Sequence, residues 1–102
     1  MWIGISAERG KTGQLQGWGR DDCRLKEIVR ALAALRPAVM MIMHTSVNDT
    51  DEALGVLRKH WGGPIAVYPE CGYFEMPEWR FIDVIAPDDL VRASRRWQAM
   101  GA

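Results

Sequence analysis

Two apolar runs of the sequence end in side chains that can do chemistry. Residues 38–43 (AVMMIM) lead directly into His44, and residues 64–69 (PIAVYP) lead into Glu70 and Cys71. Strands of a parallel sheet are covered on both faces and read as continuous apolar runs, and functional residues collect at their carboxyl ends. An imidazole can bind a metal, and a thiol can act as a nucleophile or as a metal ligand. These three residues are therefore the first candidates for a functional site.

Each candidate also has a structural explanation. His44 can be a hydrogen-bonded residue at a strand end, and Glu70 can cap a turn or face solvent. Tyr68, just before Glu70, can line a pocket, but an aromatic side chain at a strand end usually belongs to the core. Cys71 has no second histidine near it in the sequence that would activate it as a nucleophile, so we interpret it as a free thiol.

The elements that would position these residues alternate strand and helix three times. Apolar runs predict strands over residues 2–6, 38–43 and 65–69. Apolar residues at helical spacing predict three helices, the first opening at Asp21 and Asp22, the second capped by Asn48 or Asp49, and the third with Pro87 at its first position. A polar loop over residues 7–20 and an aromatic loop over residues 71–86 complete the chain.

The order of these elements predicts an α/β fold. A βαβαβα pattern implies parallel strands, and we expect residues 1–102 to form one partial domain of a (β/α)₈ TIM barrel. Three such units are too few to close a barrel. The helices would cover one face of the sheet, so the other face would need either the remainder of a barrel or another subunit.

The composition excludes several classes of protein. Thirteen basic residues balance thirteen acidic residues, so no net charge draws the chain to nucleic acid or to an anionic membrane. No apolar stretch is long enough to span a bilayer, and the amino terminus does not have the pattern of a signal peptide, so a cytoplasmic location is expected. Two cysteines do not form a disulfide framework, and both are predicted to be free.

One segment near the amino terminus resembles a nucleotide-binding motif. Residues 4–12 (GISAERGKT) resemble a phosphate-binding loop, but five residues separate the first glycine from Gly10-Lys11 where the motif requires four. The segment also does not lead into a helix at Thr12, so no helix terminus is available for a phosphate. An exposed turn at Gly10 and Lys11 is the better interpretation.

The order of the segments resembles the homocysteine S-methyltransferase family. The resemblance extends over essentially the whole chain and corresponds to about the fifth to seventh βα units of that family's barrel. It rests on the following segments in this order: WIGIS, a glycine-rich polar loop, AVMMIMHTS, a helix with DEAL, PIAVYPECG, a loop with Trp79, and a helix ending in WQAMGA.

The resemblance implies a zinc ion held by three cysteine thiolates, and homocysteine and a methyl donor as substrates. The first of these ligand positions is occupied by His44, which is also an ordinary zinc ligand. The family's adjacent cysteine pair, in a Gly-Gly-Cys-Cys segment, would follow Ala102, so residues 1–102 carry at most one of the three ligands. Tyr68 would line the substrate pocket. Glu70 stands where the family has an asparagine, and would bind the amino group of the substrate.

The sequence is compatible with two functions from different classes. The first is methyl transfer to homocysteine or a similar thiol, with His44, Tyr68 and Glu70 at the site. The second is a non-catalytic binding or assembly module that uses the exposed face of its sheet as an interface.

Overall fold

A computed structural model describes residues 1–102 of the chain and contains eight strands and three helices. The strands are β1 (Trp2–Ile5), β2 (Ala7–Arg9), β3 (Leu15–Gly17), β4 (Arg20–Arg24), β5 (Val39–Ser46), β6 (Ile65–Glu70), β7 (Tyr73–Glu75) and β8 (Arg80–Ile82). The helices are α1 (Leu25–Ala33), α2 (Val47–His60) and α3 (Pro87–Ala99).

The central sheet is parallel, which confirms the predicted α/β class. Its strand order is β1-β5-β6, so β5 lies in the middle and β1 and β6 are the edges. Gly4 lies opposite Met41, and Met41 lies opposite Ala66. The carboxyl ends of β5 and β6 therefore lie side by side, which brings the segments around His44 and Glu70 to one edge of the sheet.

Only one face of this sheet is covered. Met40 and Ile42 of β5 are fully buried, whereas Met41 and Met43, which alternate with them, are only partly buried. Helix residues complete the core on the covered face: Leu25 and Val29 of α1, Ala53, Leu54 and Leu57 of α2, and Ala93 and Trp97 of α3. Full burial of one Val, Leu, Ile or Met side chain stabilises the fold by about 1.5–3 kcal/mol.

The segment over residues 7–20 differs from the prediction of a polar loop. Strands β2, β3 and β4 form an antiparallel sheet in that order, so the prediction was wrong. Ala7 and Leu15 are buried in the core and give these short strands an inner side. Gly13 and Gly19 have φ values of 79° and 66°, which glycine adopts without steric cost, and they lie in the two connecting turns. The exposed turn predicted at Gly10 and Lys11 is the connection between β2 and β3.

The first helix begins four residues later than predicted. Asp21 and Asp22 belong to β4, where Asp22 forms an ion pair with Arg20 at 2.8 Å. Helix α1 begins at Leu25, and the carboxylate of Glu27 accepts a hydrogen bond from the backbone N–H of Arg24 at 3.2 Å. The acidic residues therefore predicted the start of the helix too early, because they lie in β4 between Arg20 and Arg24, the two residues that pair with β3.

The second helix has a different cap from the one predicted. The hydroxyl of Ser46 accepts a hydrogen bond from the backbone N–H of Asp49 at 3.2 Å, so Ser46 is the N-cap rather than Asn48 or Asp49. Asp49 lies in the first turn of α2. Pro87 occupies the first turn of α3, as predicted. Strand β5 thus passes into α2 without a loop, which holds the segment after His44 in a defined position.

The predicted aromatic loop over residues 71–86 contains a hairpin formed by β7 and β8. Phe74 packs against Trp79 and Phe81, with ring centroids 5.8 and 5.0 Å apart. The hairpin follows β6 directly and lies beside the carboxyl end of the parallel sheet. Both cysteines are free, as predicted. None of the three helices combines the length and apolar character needed to cross a bilayer.

Candidate functional site

A β-bulge lies at the carboxyl end of β5. Met43 pairs with Tyr68 and Ser46 pairs with Glu70, so β5 advances three residues while β6 advances two. An extra residue in one strand bends it and redirects the side chains that follow. His44 lies within the bulge and has a φ of 48°, in the left-handed region that residues other than glycine rarely adopt.

The bulge changes which side chains are buried. Met40 and Ile42 point into the core, and regular alternation would bury His44 as the next residue of that series. Instead His44 is exposed and Thr45 is fully buried. The bulge therefore moves the imidazole out of the core and places a hydroxyl there in its stead.

Thr45 fixes this arrangement through a buried hydrogen bond. Its Oγ1 accepts from the backbone N–H of Ala7 at 3.0 Å, and also donates to the carbonyl of Met43 at 3.2 Å. The bond to Ala7 joins the end of β5 to the start of β2. A buried N–H group without a partner is costly, so this contact stabilises the bulge.

His44 and Glu70 form a hydrogen-bonded pair across the two strands. Nδ1 of His44 lies 3.1 Å from Oε2 of Glu70. The ring of Tyr68 meets the imidazole edge to face, with centroids 5.3 Å apart and an interplanar angle of 84°. Nε2 of His44 and Oε1 of Glu70 make no hydrogen bond to the chain. The pair therefore keeps one free nitrogen and one free carboxylate oxygen.

Two cavities meet at this pair. The larger, of about 750 Å³, is lined by Trp18, Asn48, Tyr73 and Asp83 among others, and the smaller, of about 480 Å³, by Tyr68, Phe81 and Trp97 among others. His44, Glu70 and Cys71 line both. The structure thus brings together the three residues that the strand ends indicated, and Tyr68 with them. Tyr68 is 59% exposed and lines the smaller cavity, so the alternative that it belongs to the core is excluded.

The structure adds residues that sequence reasoning did not select. The sequence pattern does not indicate that Thr45 is buried, because its burial depends on the bulge. Trp18 lies in a segment that was predicted to be an irregular loop. Gly13 and Gly19, which occupy the turns of that segment, were the signal that could have indicated its strands. Tyr73 and Asp83 come from the hairpin side of the larger cavity. Asp83 raises the pKa of the Tyr73 phenol above its ordinary value, first by hydrogen bonding and then by its charge, so the phenol stays protonated.

The residues of the site match only in part the zinc ion that the family resemblance implies. His44 fits one ligand position: its Nδ1 faces a carboxylate and its Nε2 is free, which is the usual environment of a histidine that binds a metal. No group of three or more His, Cys, Asp or Glu side chains is placed to hold one ion. The residues therefore fit a single zinc ligand and do not form a complete zinc site.

We compared the sequence with known protein families, curated proteins and solved structures. No family model, curated protein or solved structure matches this sequence.

Proposed function

We propose that the chain contributes part of the active site of a zinc-dependent S-methyltransferase that methylates homocysteine or a similar thiol. In this proposal residues 1–102 supply three βα units of a (β/α)₈ barrel. The observation that carries it is the His44–Glu70 pair at the carboxyl end of adjacent parallel strands, where barrel enzymes place their functional residues. Zinc, when bound, would lower the pKa of the substrate thiol.

Each residue of the pair would have its own role. His44 would bind zinc through Nε2, and the other two ligands would come from a segment outside residues 1–102. Glu70 would accept a hydrogen bond from the substrate amino group through Oε1, since only Oε2 is used by His44. Tyr68 would line the substrate pocket beside the imidazole.

A histidine in place of a thiolate changes the charge of the proposed site. Neutral imidazole leaves the site one unit more positive than a thiolate would, which favours ionisation of the bound thiol. The same change makes the resulting sulfur a weaker nucleophile. The two free cysteines fit a reducing compartment, and we propose that the protein acts in the cytoplasm.

A second candidate function is supported by the uncovered side of the parallel sheet. We call this the open sheet face and define it by residues Trp2, Gly4, Met41, Met43, Ala66 and Tyr68, which alternate with the buried positions of β1, β5 and β6. Trp2 is 70% exposed. Strands β1 and β6 also have unpaired edges. An apolar face with two edges is suited to association, so a non-catalytic assembly module is the alternative.

The test uses the whole translation product that contains residues 1–102. Its coding sequence is read past Ala102, and the purified protein is assayed for methyl transfer to homocysteine with zinc and after treatment with a chelator. A following Gly-Gly-Cys-Cys segment together with zinc-dependent methylation supports the enzyme. A stop codon after Ala102 together with self-association and no methylation supports the module. Methylation that persists without zinc contradicts the proposed metal dependence.

A further inference from the structure

The orientation of the His44 ring is determined by its own backbone and by two neighbouring side chains. The bulge and the positive φ of His44 turn its side chain away from the core. Tyr68 stands edge-on against the ring, and Oε2 of Glu70 faces Nδ1 at 3.1 Å. The backbone sets the direction of the side chain and its two neighbours set the rotation of the ring.

The carboxylate of Glu70 has no competing positive partner. No lysine or arginine lines either cavity, and His44 is the one residue that forms an ion-pair contact with Glu70. Glu70 also follows Tyr68 by two residues on β6, so both side chains project from the same face as the redirected imidazole. No other cationic side chain of the chain therefore competes with His44 for this carboxylate.

A carboxylate in this position selects one form of the neutral imidazole. An ionised carboxylate only accepts hydrogen bonds, so the nitrogen facing it must carry the proton. In a neutral ring the other nitrogen then has the free lone pair. Free histidine in water favours the opposite tautomer, with the proton on Nε2, so the selection needs a specific partner.

We infer that Glu70 is a positioning residue that holds neutral His44 as the Nδ1–H tautomer and thereby presents the Nε2 lone pair to the cavities. The inference deepens the proposed function and rests on it for the zinc ion that Nε2 would bind. The tautomer itself is a property of the metal-free chain. It is therefore measured without zinc, homocysteine or methyl transfer.

The test measures which tautomer His44 adopts in the metal-free protein. The histidine rings are labelled with ¹⁵N, and long-range ¹H–¹⁵N NMR spectra are recorded at a pH where imidazole is neutral. The wild-type protein is expected to show His44 as Nδ1–H. His60, whose ring makes no hydrogen bond to the chain, is expected to show the Nε2–H form preferred in water and serves as the internal reference.

Two substitutions separate positioning from a general effect on the fold. Glu70→Ala should convert most of His44 to the Nε2–H form. Glu70→Gln should keep a large share of Nδ1–H, because its amide oxygen can still accept from that nitrogen. Glu78→Gln, at an exposed acidic residue of the hairpin that makes no ion pair, is the matched control and should change nothing.

The outcomes distinguish this inference from the proposed function. An Nε2–H tautomer of His44 in the wild-type protein overturns the inference, and this result needs no variant to fold. An unchanged tautomer in folded Glu70→Ala also overturns it. If the tautomer depends on Glu70 while the whole translation product neither binds zinc nor methylates homocysteine, positioning is supported and the proposed function is refuted.

Discussion

Nδ1 of His44 and Oε2 of Glu70 lie 3.1 Å apart although 26 positions separate the two residues in the sequence. The contact depends on two features of the fold. Parallel pairing of β5 and β6 places the strand ends side by side, and the bulge in β5 turns the imidazole toward the carboxylate. Neither feature alone would bring the two groups together.

The left-handed backbone of His44 gives a stability prediction. Its φ of 48° is unfavourable for a residue with a Cβ atom and free of that cost for glycine. We expect His44→Gly to be more stable than His44→Ala by about 1 kcal/mol in urea unfolding. The paired control is Met43, where regular strand geometry should make the glycine variant less stable than the alanine variant. A glycine variant of His44 less stable than its alanine variant would contradict the assigned backbone conformation.

The buried hydroxyl of Thr45 gives a second prediction. Thr45→Val keeps the shape of the side chain but leaves the backbone N–H of Ala7 without its acceptor, so we expect a loss of about 1–3 kcal/mol in the free energy of unfolding. Thr45→Ser keeps the acceptor and should be more stable than Thr45→Val. Equal stability of the valine variant and the wild-type protein would show that the Ala7–Thr45 bond does not hold the bulge.

The open sheet face gives a prediction about association. Residues 1–102 in isolation should form dimers or larger species, because one face of the sheet and both of its edges are uncovered. Trp2→Arg should weaken this association in sedimentation experiments. Leu35→Arg, at an exposed residue that follows α1, is the control and should not. A compact, cooperatively folded monomer at micromolar concentration would contradict this prediction.

The metal-ligand content of residues 1–102 gives a prediction about activity. The segment in isolation should not methylate homocysteine even when zinc is added, because its residues do not form a three-ligand site. The measurement is product formation by a purified sample whose mass has been verified. Turnover above background would show that the proposed ligand set is wrong.

The parts of the fold that follow from periodicity were predictable, and those that depend on local geometry were not. The apolar runs predicted β1, β5 and β6, and the spacing of Leu54 and Leu57 predicted α2, because full burial imposes a pattern on the sequence. The strands of three residues at 7–17 and in the hairpin are too short to show such a pattern. His44 and Glu70 were found because they end apolar runs. Their contact, and the burial of Thr45, depend on one extra residue in β5 that the apolar pattern does not reveal.

The proposed role of His44 as a zinc ligand is tested most directly by metal analysis of His44 variants. The protein for this measurement is the full-length protein that contains residues 1–102 and carries the Gly-Gly-Cys-Cys segment. His44→Ala is expected to lower zinc affinity by roughly 100-fold or more and to abolish methyl transfer, since loss of a partner that only supports a ligand already costs about 10–100-fold. His44→Cys should retain zinc, because a thiolate is also a normal ligand and the bond length changes only slightly. Unchanged zinc stoichiometry and affinity in folded His44→Ala, with melting curves recorded beside them, would contradict the account.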